Sequence, residues 1–269
     1  MLAEQLLCFT NFARMIVTFL GTGTSQGVPL MACTCSICTS PDARDSRLRS
    51  SVMVTLDDKN YVIDTGPDFR QQMLREKVKS IDAILFTHEH KDHIAGLDDV
   101  RAFNFINRWR AQVYCTEQVA EALKREFSYA FSDKKYPGTP EIDLNIIDDR
   151  SFQIGPAQFQ PIRVFHLHLP VYGFRIGNFA YITDANVIPE EEYEKLKGLD
   201  VLVLNALRRE KHPSHFTLEE AIDVANRIGA RQTWFTHISH QLGLHKDVDN
   251  ELPPGMFLAY DGLKLEVVS

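Results

Sequence analysis

The sequence predicts an α+β protein in which two packed β-sheets are flanked by helices within one domain. Three observations lead there. Short apolar, β-branched runs closed by polar or glycine-rich turns recur through both halves of the chain. Segments with helical periodicity are interspersed among them rather than gathered at one end. No repeat, low-complexity tract or long linker divides the 269 residues, a length that one such domain can fill.

The predicted strands start at 15–20, which leads into a flexible loop at 21–29. Strands at 51–56 and 61–63 form a hairpin across 57–60. Residues 81–86 make a short buried strand that delivers a histidine cluster. Further strands are expected at 113–115, 144–147, 159–164, 174–176, 179–182, 201–204 and 233–235. Residues 257–260 and 263–267 read as a closing hairpin across Asp261 and Gly262. Helices are expected at 69–76, 97–107, 117–127, 190–196 and 218–228, the last opened by a capping box of Thr217 and Glu220. Residues 1–14 are set apart as an N-terminal extension, and 15–269 form the domain.

Hydrophobic residues make up 44% of the chain, enough for a sizeable core, and the formal net charge is −7. An acidic balance argues against a broad nucleic-acid surface, which needs cations to neutralise phosphates. No apolar run is long enough to span a bilayer. Glu4 stands where a signal peptide carries positive charge, and Asn11 and Arg14 interrupt the apolar stretch, so the expected location is cytoplasmic. Five cysteines, an odd number, fit poorly with a disulfide framework. Cys8 and Cys115 read as a terminal residue and a small strand hydrophobe. Cys33, Cys35 and Cys38 form C-x-C-x-x-C, and three thiolates can take three corners of a tetrahedral zinc site.

The segment Thr87-His88-Glu89-His90-Lys91-Asp92-His93 packs three histidines and an aspartate into six residues after an apolar strand. Neutral imidazoles and a carboxylate are the usual ligands of zinc and similar divalent ions. In a tight loop His88 and His90 can face one ion while Asp92 and His93 face another.

On this H-x-H-x-D-H segment and the preceding Asp64-Thr65-Gly66, the chain resembles the metallo-β-lactamase superfamily over nearly its whole length after Met15. The resemblance implies an αββα sandwich and a two-metal site. It implies that His88, His90 and His166 hold one ion, that Asp92, His93 and His237 hold the other, and that Asp184 bridges them. Two cations about 3.5–4 Å apart need such a shared anion to offset their repulsion. His168, two residues beyond His166, is the alternative ligand. A bridging aspartate separates this pattern from the β-lactamases themselves and aligns it with phosphoesterases.

His240 lies three residues after His237. Together with the cysteine loop it resembles the cyclic-phosphate phosphodiesterase family, whose substrate model is phosphoribosyl 1,2-cyclic phosphate. That resemblance implies a structural zinc on Cys33, Cys35, Cys38 and His240. It also places a leaving-group acid at His215, with His212 as the alternative, and Asp92 counts with His215 as a catalytic residue. Arg70, Arg208 and Arg209 are candidate phosphate ligands. Asp68 reads first as the cap of the helix beginning near Phe69, and otherwise as a hydroxyl-orienting group. His245 reads either as a residue at the substrate mouth or as a solvated one.

The expected activity is hydrolysis of a small cyclic or diester phosphate by hydroxide activated between two zinc or manganese ions. Three alternatives remain: a tRNA 3′-processing nuclease, a thioester or lactone hydrolase, and a non-catalytic carrier like those of coenzyme-PQQ biosynthesis. The absence of a glycine-rich basic arm and the cysteine loop disfavour the first, and the ligand set disfavours the last. A small phosphoester is the expected partner, without nucleic acid or membrane, and a homodimer is compatible with the sequence.

Overall fold

The protein is described by a computed structural model covering residues 14–134 and 136–268. The expected extension 1–14 therefore lies outside the described residues except for Arg14. The first half supplies strands Arg14–Gly21 (β1), Ser51–Leu56 (β2), Lys59–Ile63 (β3), Ala83–Leu85 (β4), Ala111–Cys115 (β5) and Ile142–Ile146 (β6). The second supplies Phe152–Ile154 (β7), Ala157–His166 (β8), Leu169–Ile176 (β9), Phe179–Ile182 (β10), Val201–Asn205 (β11), Gln232–Thr236 (β12), Met256–Leu258 (β13) and Lys264–Val268 (β14). The α-helices are Phe69–Arg75 (α1), Lys91–Ile94 (α2), Arg101–Asn107 (α3), Glu117–Glu126 (α4), Ser128–Phe131 (α5), Leu218–Ile228 (α6) and His245–Glu251 (α7).

Two mixed seven-stranded sheets result, ordered β14-β1-β2-β3-β4-β5-β6 and β13-β12-β11-β10-β9-β8-β7. Burial divides into three apolar clusters. One, with Val17, Phe19, Tyr61, Phe159, Phe174 and Tyr181, joins the sheets face to face. The second packs Leu218, Ala221 and Ala225 of α6 and Val248 of α7 on the second sheet. The third packs Phe69 of α1, Leu97, Val119 and Leu123 on the first. Three interfaces define four layers, so the fold is the expected αββα sandwich in one domain.

The hairpin across 57–60 forms, with Asp57 and Asp58 both at positive φ, as a tight two-residue turn requires. The capping box of Thr217 and Glu220 is complete. Three expectations are corrected. The helix expected at 97–107 is a 3₁₀ turn, Leu97–Val100, followed by α3, and Glu190–Leu196 is likewise 3₁₀. The closing hairpin does not exist. β13 pairs in parallel with β12, whereas β14 pairs antiparallel with β1, so Asp261 and Gly262 carry the chain from one sheet to the other. The turn residues mark a reversal of direction, but the carboxylate of Asp261 is spent on Thr22 and Leu48 of the first sheet's loops.

Candidate metal centre

The parallel strands β3 and β4 end at the same edge of the first sheet, and β10, β11 and β12 end at the facing edge of the second. Each end delivers part of one cluster. After β4 comes Thr87-His88-Glu89-His90 and the short α2 with Asp92 and His93. After β3 comes Asp64, after β10 Asp184, and after β12 His237. All three adopt left-handed φ, 66°, 54° and 57°, a region costly for residues with a Cβ. Such strain, repeated at three strand ends, marks a functional edge. Around Asp184 it is held by Asn205, which bonds both the N–H and the carbonyl of Ala185.

Two glycines let the histidine loop settle on β3. A Cβ on Gly66 would lie 2.0 Å from the carbonyl oxygen of Asp92, and one on Gly96 would lie 2.1 Å from that of Gly66. The close approach permits Thr65 N–H to bond His93 O and Gly96 N–H to bond Thr65 O.

Hydrogen bonds fix the imidazole tautomers. Asp64, wholly buried, accepts from the N–H and hydroxyl of Thr87 and from His93 Nδ1–H at 2.7 Å. The Thr87 hydroxyl is thus committed as a donor, so it accepts from His88 Nδ1–H at 2.9 Å. His166 Nδ1–H donates to the Ser214 carbonyl at 2.7 Å. In each ring Nε2 is left with its lone pair. The Nε2 atoms of His88 and His93 are buried without a hydrogen-bond partner. Orphaned acceptors turned toward carboxylates are what a cation requires.

Asp184 spans the cluster. Its Oδ2 lies 3.8 Å from His88 Nε2, while its Oδ1 lies 3.4 Å from His93 Nε2 and 3.0 Å from His237 Nδ1. Asp92 Oδ2 is 3.1 Å from His93 Nε2. The donor atoms of Asp92, His93, Asp184 and His237 all lie within 4.8 Å of one another, as do those of His166, Asp184 and His215. The exposed ring of His90 stands 4.5 Å from His88 and 5.2 Å from His166. Burial and the neighbouring His93 hold His88 neutral; at His93, against burial, Asp184, Asp92 and Asp64 raise the ring, so its Nε2 draws a proton where no cation takes that place. Burial would raise Asp184, but His237 and His93 pull it well down. The residues present fit divalent cations.

His215 is buried, with its ring 4.4 Å from His166 and 4.8 Å from His237, and its Nδ1 has no partner. His212 stands outside it, 5.1 Å away, partly exposed and near Ser214 Oγ. His168 is exposed on the β8–β9 turn, so the structure brings His166 rather than His168 into the cluster.

The second group also forms. The sulfurs of Cys33, Cys35 and Cys38 each lie 3.4 Å from His240 Nδ1. A tetrahedral zinc with Zn–S near 2.3 Å and Zn–N near 2.0 Å separates sulfur from nitrogen by about 3.5 Å, so these four residues fit zinc.

Several minor expectations change. Asp68 precedes α1 but makes no cap bond; it holds the backbone and guanidinium of Arg49. Nothing in the local pattern indicated that partner 19 residues away. His245 is neither at the mouth nor solvated: it is buried on α7, where Nδ1 accepts from Arg47 at 3.0 Å. Arg208 is tied to Gln241 and Arg209 to Glu251, and Arg70 is exposed on α1. Thr24, which spacing did not single out, places its hydroxyl 3.4 Å from His237 Nε2.

A four-layer sandwich with this histidine and aspartate edge defines a metallo-β-lactamase-fold hydrolase, and the chain belongs to that superfamily: residues 59–238 match the family described as Beta-lactamase superfamily domain. A crystal structure described as a new diphosphatase from the PhnP family superposes with a TM-score of 0.89 at 45% identity, covering 94% of this chain and 97% of that one. A protein of Porphyromonas gingivalis named octanoyltransferase is 41% identical over 91% of this chain but only 50% of its own length. This chain thus spans about half of that relative. Ribonuclease Z of Mycolicibacterium gilvum is 26% identical over 82% of this chain and 83% of the relative. No helix of the described residues is long and apolar enough to cross a membrane.

Proposed function

We propose that the protein hydrolyses a small phosphate diester, cyclic or open, at a two-cation centre, with His215 as proton donor to the leaving oxygen. His88, His90 and His166 form one ligand set, Asp92, His93 and His237 the other, and Asp184 reaches both. Divalent cations held there would supply Lewis acidity toward a phosphoryl group and an acidified water. The observation that carries the reading is the position of His215: buried between His166 and His237, with Nδ1 free of any protein partner.

The chain's own residues then do the following. The Asp64–Thr87–His88 chain of hydrogen bonds holds two imidazoles with Nε2 forward. Burial, then His237, lowers His215 to about 2, so it is neutral in the free protein. An anionic phosphate beside it favours the charged form and loads the proton that the departing alkoxide needs. The similar diphosphatase fits the two-cation part of this reading, since a diphosphate linkage also breaks at a bridging oxygen of a phosphoryl group, although its phosphate leaving group needs a proton less than an alkoxide does. The name octanoyltransferase belongs to a relative of which this chain spans only half, so that activity is not carried over to this chain. The edge described here consists of histidines and aspartates, whereas acyl transfer through a covalent intermediate calls for an activated nucleophile.

The test is turnover of cyclic phosphates, dinucleotides, nucleoside diphosphates, octanoyl thioesters and lactones by protein reconstituted with zinc or manganese. Hydrolysis of cyclic phosphates or dinucleotides supports the reading, and turnover confined to nucleoside diphosphates, thioesters or lactones overturns it.

A further inference from the structure

One five-residue turn, Thr236-His237-Ile238-Ser239-His240, serves both ligand groups, because His237 belongs to the edge cluster and His240 to the cysteine group. The turn is held from outside, on one side by the segment after β11, where Ala206 N–H donates to Thr236 O and Leu207 O accepts from Ser239 N–H. Ile238 is strapped to the segment before the cysteine loop: its N–H donates to Thr22 O and its carbonyl accepts from Thr24 N–H. Thr24 in turn touches His237 Nε2. The strap and the cysteine loop are one stretch of chain. It leaves β1 at Gly21, passes His237, reaches Cys33 to Cys38, and returns through Arg47, whose carbonyl lies 2.9 Å from where a Cβ on Gly23 would stand.

We propose that the Cys33–Cys35–Cys38–His240 group, when it holds zinc, is the positioning element for His237. The affinity of the Asp92–His93–His237 set for its cation then depends on occupancy of the cysteine site. The physical reason is local. His237 sits in left-handed backbone, a conformation that survives only where surroundings impose it. Downstream, the hydrogen-bonding contacts of the His240 ring among the described residues are the three sulfurs that converge on Nδ1, and a shared ion would fix them together. Without one, two or three thiols face an imidazole at 3.4 Å with no strong bond among them. The strap itself stays laced to residues 47–50 through Gly23, Val28 and Ser50, but the loop beyond it loses its anchor, and His240 with it, at the downstream end of the turn that carries His237. The His88–His90–His166 set is carried by β4 and β8 and, among the described residues, makes no hydrogen bond to that loop, so its cation is the better held of the two. Residues that orient ligands in this way typically change metal affinity by roughly 10–100-fold.

This inference rests on the two-cation reading above, and one experiment separates them. Full-length protein, fully loaded, is titrated with an organomercurial that captures thiolates, while released metal and the far-ultraviolet circular dichroism are followed. The expected result is release of the cysteine-site zinc accompanied by one further equivalent, with the dichroism unchanged. Protein that never holds more than one equivalent besides the cysteine-site zinc refutes the two-cation reading. Release of a single equivalent from protein holding three refutes only the coupling. Loss of dichroism together with metal also overturns it, since the zinc would then hold the whole fold rather than His237. As a second measure, His240→Cys restores four soft ligands. It should keep cation affinity at the Asp92–His93–His237 set near that of the parent protein, while His240→Ala weakens it about 10–100-fold. Equal weakening in both variants would assign the effect to the imidazole and not to the zinc.

Discussion

Asp64 and His93, 29 residues apart in sequence, share a 2.7 Å hydrogen bond in which neither side chain touches solvent. Burial raises Asp64 against the pull of His93, so the pair is a costly arrangement kept in place by Thr87. Its effect is to aim His93 Nε2 at Asp92 and Asp184. Asp64→Asn should therefore lower cation affinity about 10–100-fold with little change in thermal stability. Competition with a graded chelator series measures it, and parent-like metal retention would remove Asp64 from this role.

Asp184→Ala removes a carboxylate that reaches both ligand sets. Turnover should vanish while the circular dichroism stays native, and metal analysis should show at least one equivalent lost. Two cations retained with activity intact would mean that Asp184 is not the bridge.

His215→Ala tests the reaction class. An alkyl alkoxide leaves poorly without a proton and a nitrophenolate leaves easily. The variant should lose on the order of a hundredfold on an alkyl or cyclic diester and far less on an aryl diester. Metal content should not change. If metal is lost, His215 is a ligand, which its distance to His166 and Asp184 also allows. If His212→Ala alone carries the loss, the proton comes from the outer ring.

Cys35→Ser should empty the cysteine site of zinc, weaken the cation of the Asp92–His93–His237 set with it, and lower the melting temperature by several degrees, because a structural zinc contributes folding free energy. Full zinc content at unchanged melting temperature would show that the cysteine group does not hold it.

His245 gives a pH signature. Burial, then Arg47 and Arg44, lower it to about 4. The unfolded chain takes up this proton near pH 6.5 and the folded chain only near 4, so stability should fall as pH drops through that window and level off beneath it. His245→Gln should flatten the dependence. Melting curves from pH 7 to about 4 read it, and an unchanged slope in the variant would assign the loss to other groups.

Spacing alone exposed the two ligand-rich segments, because H-x-H-x-D-H and C-x-C-x-x-C concentrate ligands within one loop each. Family resemblance put His166 ahead of His168, but the Ser214 O that orients its ring, a backbone atom 48 residues on, is encoded by no periodicity. Hairpin statistics failed at Asp261 and Gly262 because a turn signal reports a reversal of the chain and not the sheet it rejoins. Asp68 and His245 were misread for a related reason. Their partners, Arg49 and Arg47, lie on the return limb of the cysteine loop, whose path the sequence leaves open.

The register of β1 against β14 pairs Arg14 with Val268, at the end of the sandwich away from Gly21 and the metal edge. Both ends of the domain therefore emerge side by side, on the pole opposite its chemistry. Any polypeptide joined before or after it, such as the unmatched half of the Porphyromonas relative, would be tethered from behind. A tethered neighbour could then share substrates or products at high local concentration without covering the mouth, and grafting this domain onto another protein at either end should leave its entrance open.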